Sequence, residues 1–413
     1  MTSALPTTEL PDAGVPDVDR NTRHVTLATL ALAMGGFAIG TTEFVTMGLL
    51  PEMADGVGVS IPTAGHLISA YAIGVVVGAP LIAVLAARLP RRGLLLALMV
   101  AFAVGNAASA LAGSFGLLVA ARFFAGLPHG AFFGVASLVA ASMVAPSRRG
   151  RAVSMVMLGL PIANIVGVPA ATWMGQQLGW RSAYWAVSVL GVLTIALVAA
   201  FVPSVPGDRA ATGRRELKAF ANAQVWLTLL VGAIGFGGMF AMYSYIAPTV
   251  TDVTGLPSSS IPWFLLAFGL GGTVGTFVGG RLADWSVLRS MVVGSAGMGL
   301  MLALFTVTAH QPLAAWTTVF LVALIASVLV VSLQMRLMHV AGDAQTLGAA
   351  MNHASLNVAN ALGAWLGGLV IAAGWGYTAP SWVGAGLSFG GLLVLAASVL
   401  LHRRTAPAAS TTA

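Results

Sequence analysis

The sequence predicts an all-α integral membrane protein, with about twelve transmembrane helices in two pseudo-symmetric six-helix bundles. Three observations predict it. Of 413 residues, 58% are hydrophobic and only 8% charged, against roughly 25% charged in a soluble domain. The apolar residues fall into about twelve runs of the ~20 residues that a membrane helix needs. The two halves of the chain also match each other at an offset near 197 residues.

The first 22 residues are polar and acidic, with Pro6, Pro11 and Pro16. They lack the basic start and short apolar core of a signal peptide and read as a disordered cytoplasmic tail. The predicted spans are 26–50, 62–87, 93–112, 117–142, 152–172 and 183–202 in the first half, and 223–250, 261–283, 290–308, 314–338, 346–373 and 379–401 in the second. No run alternates with period two, so a β-barrel is disfavoured. Fifty glycines suit closely packed membrane helices. The polar connection around 204–222 separates bundles at 23–203 and 223–404, and 405–413 reads as a second disordered tail.

Arginine and lysine set the orientation. Arg88, Arg91 and Arg92, then Arg148, Arg149 and Arg151, then Arg209, Arg214, Arg215 and Lys218 lie on one side, with Arg289, Arg336, Arg403 and Arg404. The opposite connections carry Arg181 with Glu52, Asp55 and Asp252. Both termini are therefore expected in the cytoplasm. The formal net charge of +7 is explained by this topology rather than by nucleic acid. The repeat pairs Gly40 with Gly237, Pro51 with Pro248, Gly74 with Gly271, Gly78 with Gly275, Arg92 with Arg289, Asn164 with Asn360, Gly179 with Gly376, and Trp185 with Trp382. Parallel six-helix repeats place a substrate site between two bundles that rock against each other.

Glu43 is the one acid well inside an apolar run. Ionising a carboxylate there costs several kcal/mol, so such a residue usually marks a proton or substrate site. A protonated glutamate bonded to a neighbouring helix is the alternative. At 1.5 Å per residue Glu43 lies ~12 Å below the helix end at Pro51, and Arg122 lies ~9 Å below the start of its own helix near Gly116. The two charges can therefore sit at similar depth. A nearby arginine favours the carboxylate and desolvation favours the neutral acid; sequence does not decide between them.

Several stretches carry a family resemblance. They are Gly40-Thr-Thr-Glu43-Phe, Ser69-Ala-Tyr-Ala-Ile-Gly-Val-Val-Val-Gly-Ala-Pro80, Gly179-Trp-Arg-Ser-Ala-Tyr-Trp185, Gly279-Gly-Arg-Leu-Ala-Asp284 and Asn357-Val-Ala-Asn-Ala-Leu-Gly363. From about Arg23 to Arg404 the chain resembles twelve-span drug:proton antiporters of the major facilitator superfamily. Within them it is most similar to actinobacterial chloramphenicol-resistance exporters and arabinose-efflux-like permeases.

The resemblance implies roles for particular residues. Arg122, in Arg122-Phe-Phe-Ala-Gly126, matches the family's intramembrane arginine and would tune Glu43 and help relay protons; a structural arginine bonded to helix carbonyls is the alternative. The cytoplasmic gating motif is present in part. Its first copy keeps Arg88, Arg91 and Arg92 but has Ala83 and Ala87 at the Gly and Asp positions; its second keeps Gly280, Asp284 and Arg289. Simple anchoring by positive charge also explains Arg91 and Arg92. Gly159, Pro161, Asn164, Gly167 and Pro169 loosely match the antiporter motif of the fifth span, which the family ties to export; a packing kink is the plainer reading.

Candidate cavity residues are Asn106, His129, Met239, Tyr243, Tyr245, Asn352, His353, Asn357 and Asn360. His353, Asn357 and Asn360 share one helix face at i, i+4 and i+7. Interhelical hydrogen bonding is the common use of membrane Asn and His. With no cysteine, thiolate metal sites and Cys nucleophiles are excluded. No Walker motif, His-Glu-x-x-His or nucleophile elbow occurs, so no enzyme activity, metal or cofactor is expected. The expected partners are a small molecule, protons and the bilayer, with the monomer as the working unit. The sequence is read as a proton-coupled exporter of small amphipathic molecules, phenicol-type antibiotics leading. Sugar, nucleoside or other metabolite export, and uptake without proton coupling, stay open.

Overall fold

The computed structural model describes residues 18–86, 89–206, 222–341 and 345–405. Arg88, the linker residues 207–221 and the tails at 1–17 and 406–413 lie outside the described residues. Among the described residues the regular structure is helical throughout.

The first half runs α1 (Val18–Gly48), α2 (His66–Ala86), α3 (Arg91–Leu111), α4 (Phe115–Ser142), α5 (Arg149–Leu178) and α6 (Trp180–Phe201). In the second, α7 is Ala223–Tyr243. The helix Ile261–Thr308 is 48 residues long, or ~72 Å, more than twice a ~30 Å hydrocarbon core. Ser286 breaks it with an extended backbone (φ −168°, ψ 110°), and its hydroxyl accepts from the Arg289 N–H at 3.4 Å. We therefore count it as α8 (261–285) and α9 (287–308). The chain ends with α10 (Pro312–Val340), α11 (Gln345–Ala372) and α12 (Ala379–Thr405). Among the described residues eleven helices are long and apolar enough to cross a membrane, and the break at Ser286 makes twelve crossings of them.

Local chemistry explains the ends. Ser114 caps α4 by accepting from the Leu117 N–H at 3.4 Å. The predicted spans 26–50 and 223–250 both run past the observed helix ends at Gly48 and Tyr243. The chain breaks at Leu49 (φ −116°, ψ 15°) and at Tyr245 (φ −116°, ψ 24°). Pro51 and Pro248 follow closely, and a proline removes an amide donor and crowds the carbonyl four residues back.

The repeat is visible in the backbone. Gly58 (φ +68°) pairs with Gly255 (φ +72°), and Gly179 (φ +87°) with Gly376 (φ +79°), each pair 197 apart. Gly74 and Gly78 of α2 lie against the carbonyls of Phe123 and Leu127 in α4; Gly271 and Gly275 of α8 lie against those of Phe320 and Leu324 in α10. All four contacts recur at that offset, and in each a Cβ would run into backbone. Across the halves α2 packs on α11, and α8 on α5. The Ser69 hydroxyl donates to the Ala361 carbonyl at 3.0 Å, and Gln176 to the Ser258 carbonyl at 2.9 Å. Tyr245 lies against Gly65. These contacts tie the halves together on the side of the α1–α2 connection, opposite both termini.

Candidate functional site

The site forms where α1, α2, α4 and α11 converge. Glu43 is buried (6% exposed). Arg122 of α4 is fully buried and lies within electrostatic reach of it. The guanidinium bonds one residue away, however: Nη1 donates to the Thr42 hydroxyl at 3.1 Å and Nη2 to the Thr42 carbonyl at 3.2 Å. The Thr42 hydroxyl in turn donates to Asn106 Oδ1 at 2.5 Å. Arg122 also lies over the rings of Tyr71 (4.3 Å) and Tyr184 (5.3 Å), an arrangement that favours the cation. Arg122 thus acts locally as an arginine bonded to a helix carbonyl, while its charge stands beside Glu43. Its Nε is buried and unpartnered.

The second half faces this cluster with amides and rings. Asn360 stands beside Glu43 without closing a hydrogen bond; its Oδ1 and Nδ2 are both buried and unpartnered. Asn357 donates Nδ2 to the His353 carbonyl at 3.0 Å, which leaves its Oδ1 buried and unpartnered. A buried polar atom without a partner costs ~1–3 kcal/mol, so these amides are suited to bond something else. Next to Glu43, the Phe44 ring stacks on Phe240 (6.4 Å, 8°) and meets Tyr243 edge-on (6.1 Å). Tyr243 stacks on Phe268 at 3.7 Å. The cluster therefore sets one acid and the Asn360 amide beside an aromatic wall in the core that also holds Met239, with the Asn357 amide about one turn away on α11.

The other expected cavity residues each have partners. Asn106 donates to the Phe102 carbonyl at 2.8 Å and accepts from Thr42, so it supports the Arg122–Thr42 contact from inside the first half. Tyr245 donates to the Ala364 carbonyl at 2.7 Å, and Asn352 to Gln334 of α10 at 2.7 Å. His129 Nδ1 is 3.0 Å from the Tyr71 hydroxyl. His353 is half-buried and stacks on Phe133 of α4 (6.1 Å, 2°).

The fifth-span motif is more than a kink. Between Pro161 and Pro169 the helix widens into a π-turn at Ala163–Gly167, a distortion common at functional sites. It brings α5 against its neighbours: Gly159 meets the Ala33 carbonyl, Gly167 the Thr41 hydroxyl, and the Asn164 carbonyl Gly269 of α8. Among the described gate residues no ion pair links the two halves. The Arg91 N–H donates to the Val205 carbonyl at 2.9 Å, and Arg92 donates to the Ala199 carbonyl near the end of α6, where a cation is favoured. Asp284 is exposed, Gly280 has open space about it, and Arg289 lies over its own helix's Trp285 at 4.8 Å. An apolar groove bordered by Val104, Phe124 and Pro128 faces outward and belongs to the lipid surface rather than to this site.

Sequence reasoning passed over Tyr71, Tyr184, Thr42 and Thr46. Thr46 and Tyr184 share a hydrogen bond of 2.7 Å. A signal was present for Tyr71, which lies well inside the predicted span 62–87 rather than at an interface where tyrosine is enriched; Tyr184, at the start of its span, gave none.

Residues 32–354 match the family described as Major Facilitator Superfamily. The inner membrane transport protein YdhP of Escherichia coli K12 is 42% identical, over 86% of this chain and 92% of its own length. A chloramphenicol resistance protein of Streptomyces lividans is 35% identical, over 88% and 94%. The E. coli putative transporter AraJ is 32% identical, over 91% and 94%. Among solved structures, a D-xylose–proton symporter superposes with a TM-score of 0.73 at 17% identity, over 90% of this chain and 97% of that one. At that identity the likeness is one of fold.

Proposed function

The chain belongs to the major facilitator superfamily, and from that premise we propose that it exports a small amphipathic molecule, a phenicol-type compound first, from the cytoplasm in exchange for inward-moving protons. The observation that carries the reading is the pairing of a buried Glu43 with the unpartnered amides of Asn357 and Asn360 beside an aromatic wall. A phenicol offers an aromatic ring for the wall and hydroxyl and amide groups for the asparagines. The Streptomyces relative's name supports the substrate class.

In this mechanism Glu43 takes up a proton when the site faces outward and loses it when the site faces the terminus-bearing side, here assigned to the cytoplasm. The proton and the substrate compete for the site: substrate binds when Glu43 is the carboxylate, so substrate binding from inside drives the proton off. Arg122 holds Thr42 and its helix turn in place and supplies a fixed positive charge beside the acid. Rocking of the halves opens the Ser69–Ala361 and Gln176–Ser258 contacts.

Expression in an efflux-deficient bacterial host tests this. The wild type is expected to raise resistance to chloramphenicol, and Glu43→Gln to remove that gain at equal membrane abundance. Resistance to no phenicol would redirect the reading to metabolite export; resistance undiminished in Glu43→Gln would remove the proton role from Glu43.

A further inference from the structure

A second set of buried polar groups leads from Glu43 toward the terminus-bearing side, and the exchange described above leaves it unused. Tyr71 of α2 lies within electrostatic reach of both Glu43 and Arg122. Its hydroxyl is 3.0 Å from His129 Nδ1. His129 is seven residues after Arg122 on α4, ~10 Å further toward that side. One turn on, Phe133 lies 5.4 Å from the His129 ring and stacks on His353. His353 comes from the other half and is only half-buried.

We propose that Tyr71 and His129 form the inner leg of the proton path, carrying the proton of Glu43 to the terminus-bearing side, with the Phe133–His353 stack across its mouth. This rests on the antiport reading and adds its exit route. A tyrosine hydroxyl accepts and donates at once, and an imidazole does so through two nitrogens. In the transfer, the Glu43 O–H bond breaks and the Tyr71 oxygen takes that proton, directly after side-chain rotation or through one water. The Tyr71 O–H proton passes to His129 Nδ1, and the imidazolium releases its Nε2 proton to water at the opening. Glu43 is left as the carboxylate, and Tyr71 and His129 return neutral.

Three observations favour a path over simple packing. The Tyr71–His129 pair is hydrogen-bonded and buried, and Tyr71 packs with the apolar Val75 and Ala125. The positions 197 residues on are Phe268 and Ala326, so the repeated fold packs there without polar groups. Among the described residues, the titratable groups at His129 are the Tyr71 hydroxyl from α2 and His353 from α11, with Glu43 and Arg122 reached through Tyr71. Of the other helices packed on α4, α3 and α5 carry Arg91, Arg92, Arg149 and Arg151 in their first turns, away from this depth.

The test is time-resolved infrared spectroscopy on the full chain in lipid nanodiscs, which needs no substrate. A pH jump from acid to alkaline deprotonates Glu43, read as loss of the carboxyl C=O band that Glu43→Gln removes. His129→Gln and Tyr71→Phe, the latter keeping its ring over Arg122, are expected to slow that loss tenfold or more with unchanged amplitude. His353→Gln, at the mouth, is expected to slow it less. An unchanged rate in both His129→Gln and Tyr71→Phe would overturn the inner leg and leave the antiport reading standing. If no titrating carboxyl band is lost in Glu43→Gln, the antiport reading fails and the path fails with it.

Discussion

Asn360 is the candidate-site residue whose cost to stability is clearest. Both ends of its amide are buried and unpartnered, a cost of ~1–3 kcal/mol in the empty protein. Asn360→Ala is expected to leave the melting temperature unchanged or higher while weakening chloramphenicol binding about tenfold, ~1.4 kcal/mol. Calorimetric titration beside a thermal melt checks both; a lower melting temperature with unchanged affinity would make Asn360 a packing residue. Glu43, Arg122, Asn357 and Asn360 were legible in the sequence because charge and amides are conspicuous in apolar runs. Their bonding was not. Depth along a helix is computable from rise alone, but its rotation is not, so Arg122 reaching Thr42 rather than Glu43 needed the packed structure. For the same reason the partners of Asn106, which accepts from Thr42 behind Arg122, and of Tyr245, which donates to the Ala364 carbonyl, needed the packed structure.

At the scale of elements, glycines decide where helices touch. Gly74 and Gly271 hold equivalent positions against backbone carbonyls. Gly74→Val and Gly271→Val are each expected to destabilise by about 1–3 kcal/mol through overpacking, seen as a lower melting temperature in detergent. Gly134, whose Cβ position is open, provides the control: Gly134→Ala is expected to be neutral or to stabilise by up to ~1 kcal/mol through helix propensity. If Gly74→Val melts no lower than Gly134→Ala, the tight α2–α4 seam is not needed for stability. Span existence and order were readable from hydropathy. The Ser286 break lay in the predicted 283–290 gap, whereas the π-turn at Ala163–Gly167 did not declare itself. Two prolines announce a disturbance, but whether it bends or widens the helix depends on what packs beside it.

Across the whole molecule the repeat is close in backbone and unequal in chemistry. Thr42, Glu43, Tyr71 and Arg122 correspond at the 197 offset to Met239, Phe240, Phe268 and Val319. One half carries the charge and the other supplies the aromatic wall, so a single site spans both. The far face adds a pH term of its own. Glu52, in the short helix Leu50–Gly56 beyond α1, has one buried unpartnered oxygen, and burial pushes its carboxyl above the ordinary value. The closed face therefore binds this proton more tightly than an open face with Glu52 in water. Closure is favoured at acid pH and weakened as pH rises through the raised value. Spin labels at the exposed Asp55 and Ser259 are expected to report a longer separation as pH rises from 4 to 8, less so in Glu52→Gln; an equal response in that variant would discard Glu52 as the group responsible.

The central claim is that Glu43 couples protons to export. Purified protein in proteoliposomes, with an imposed pH gradient and labelled chloramphenicol, tests it most directly. The account predicts uphill chloramphenicol movement opposite to the proton gradient in the wild type, collapse of that movement on adding a protonophore, and only downhill exchange in Glu43→Gln. Uphill movement that persists in Glu43→Gln would contradict it.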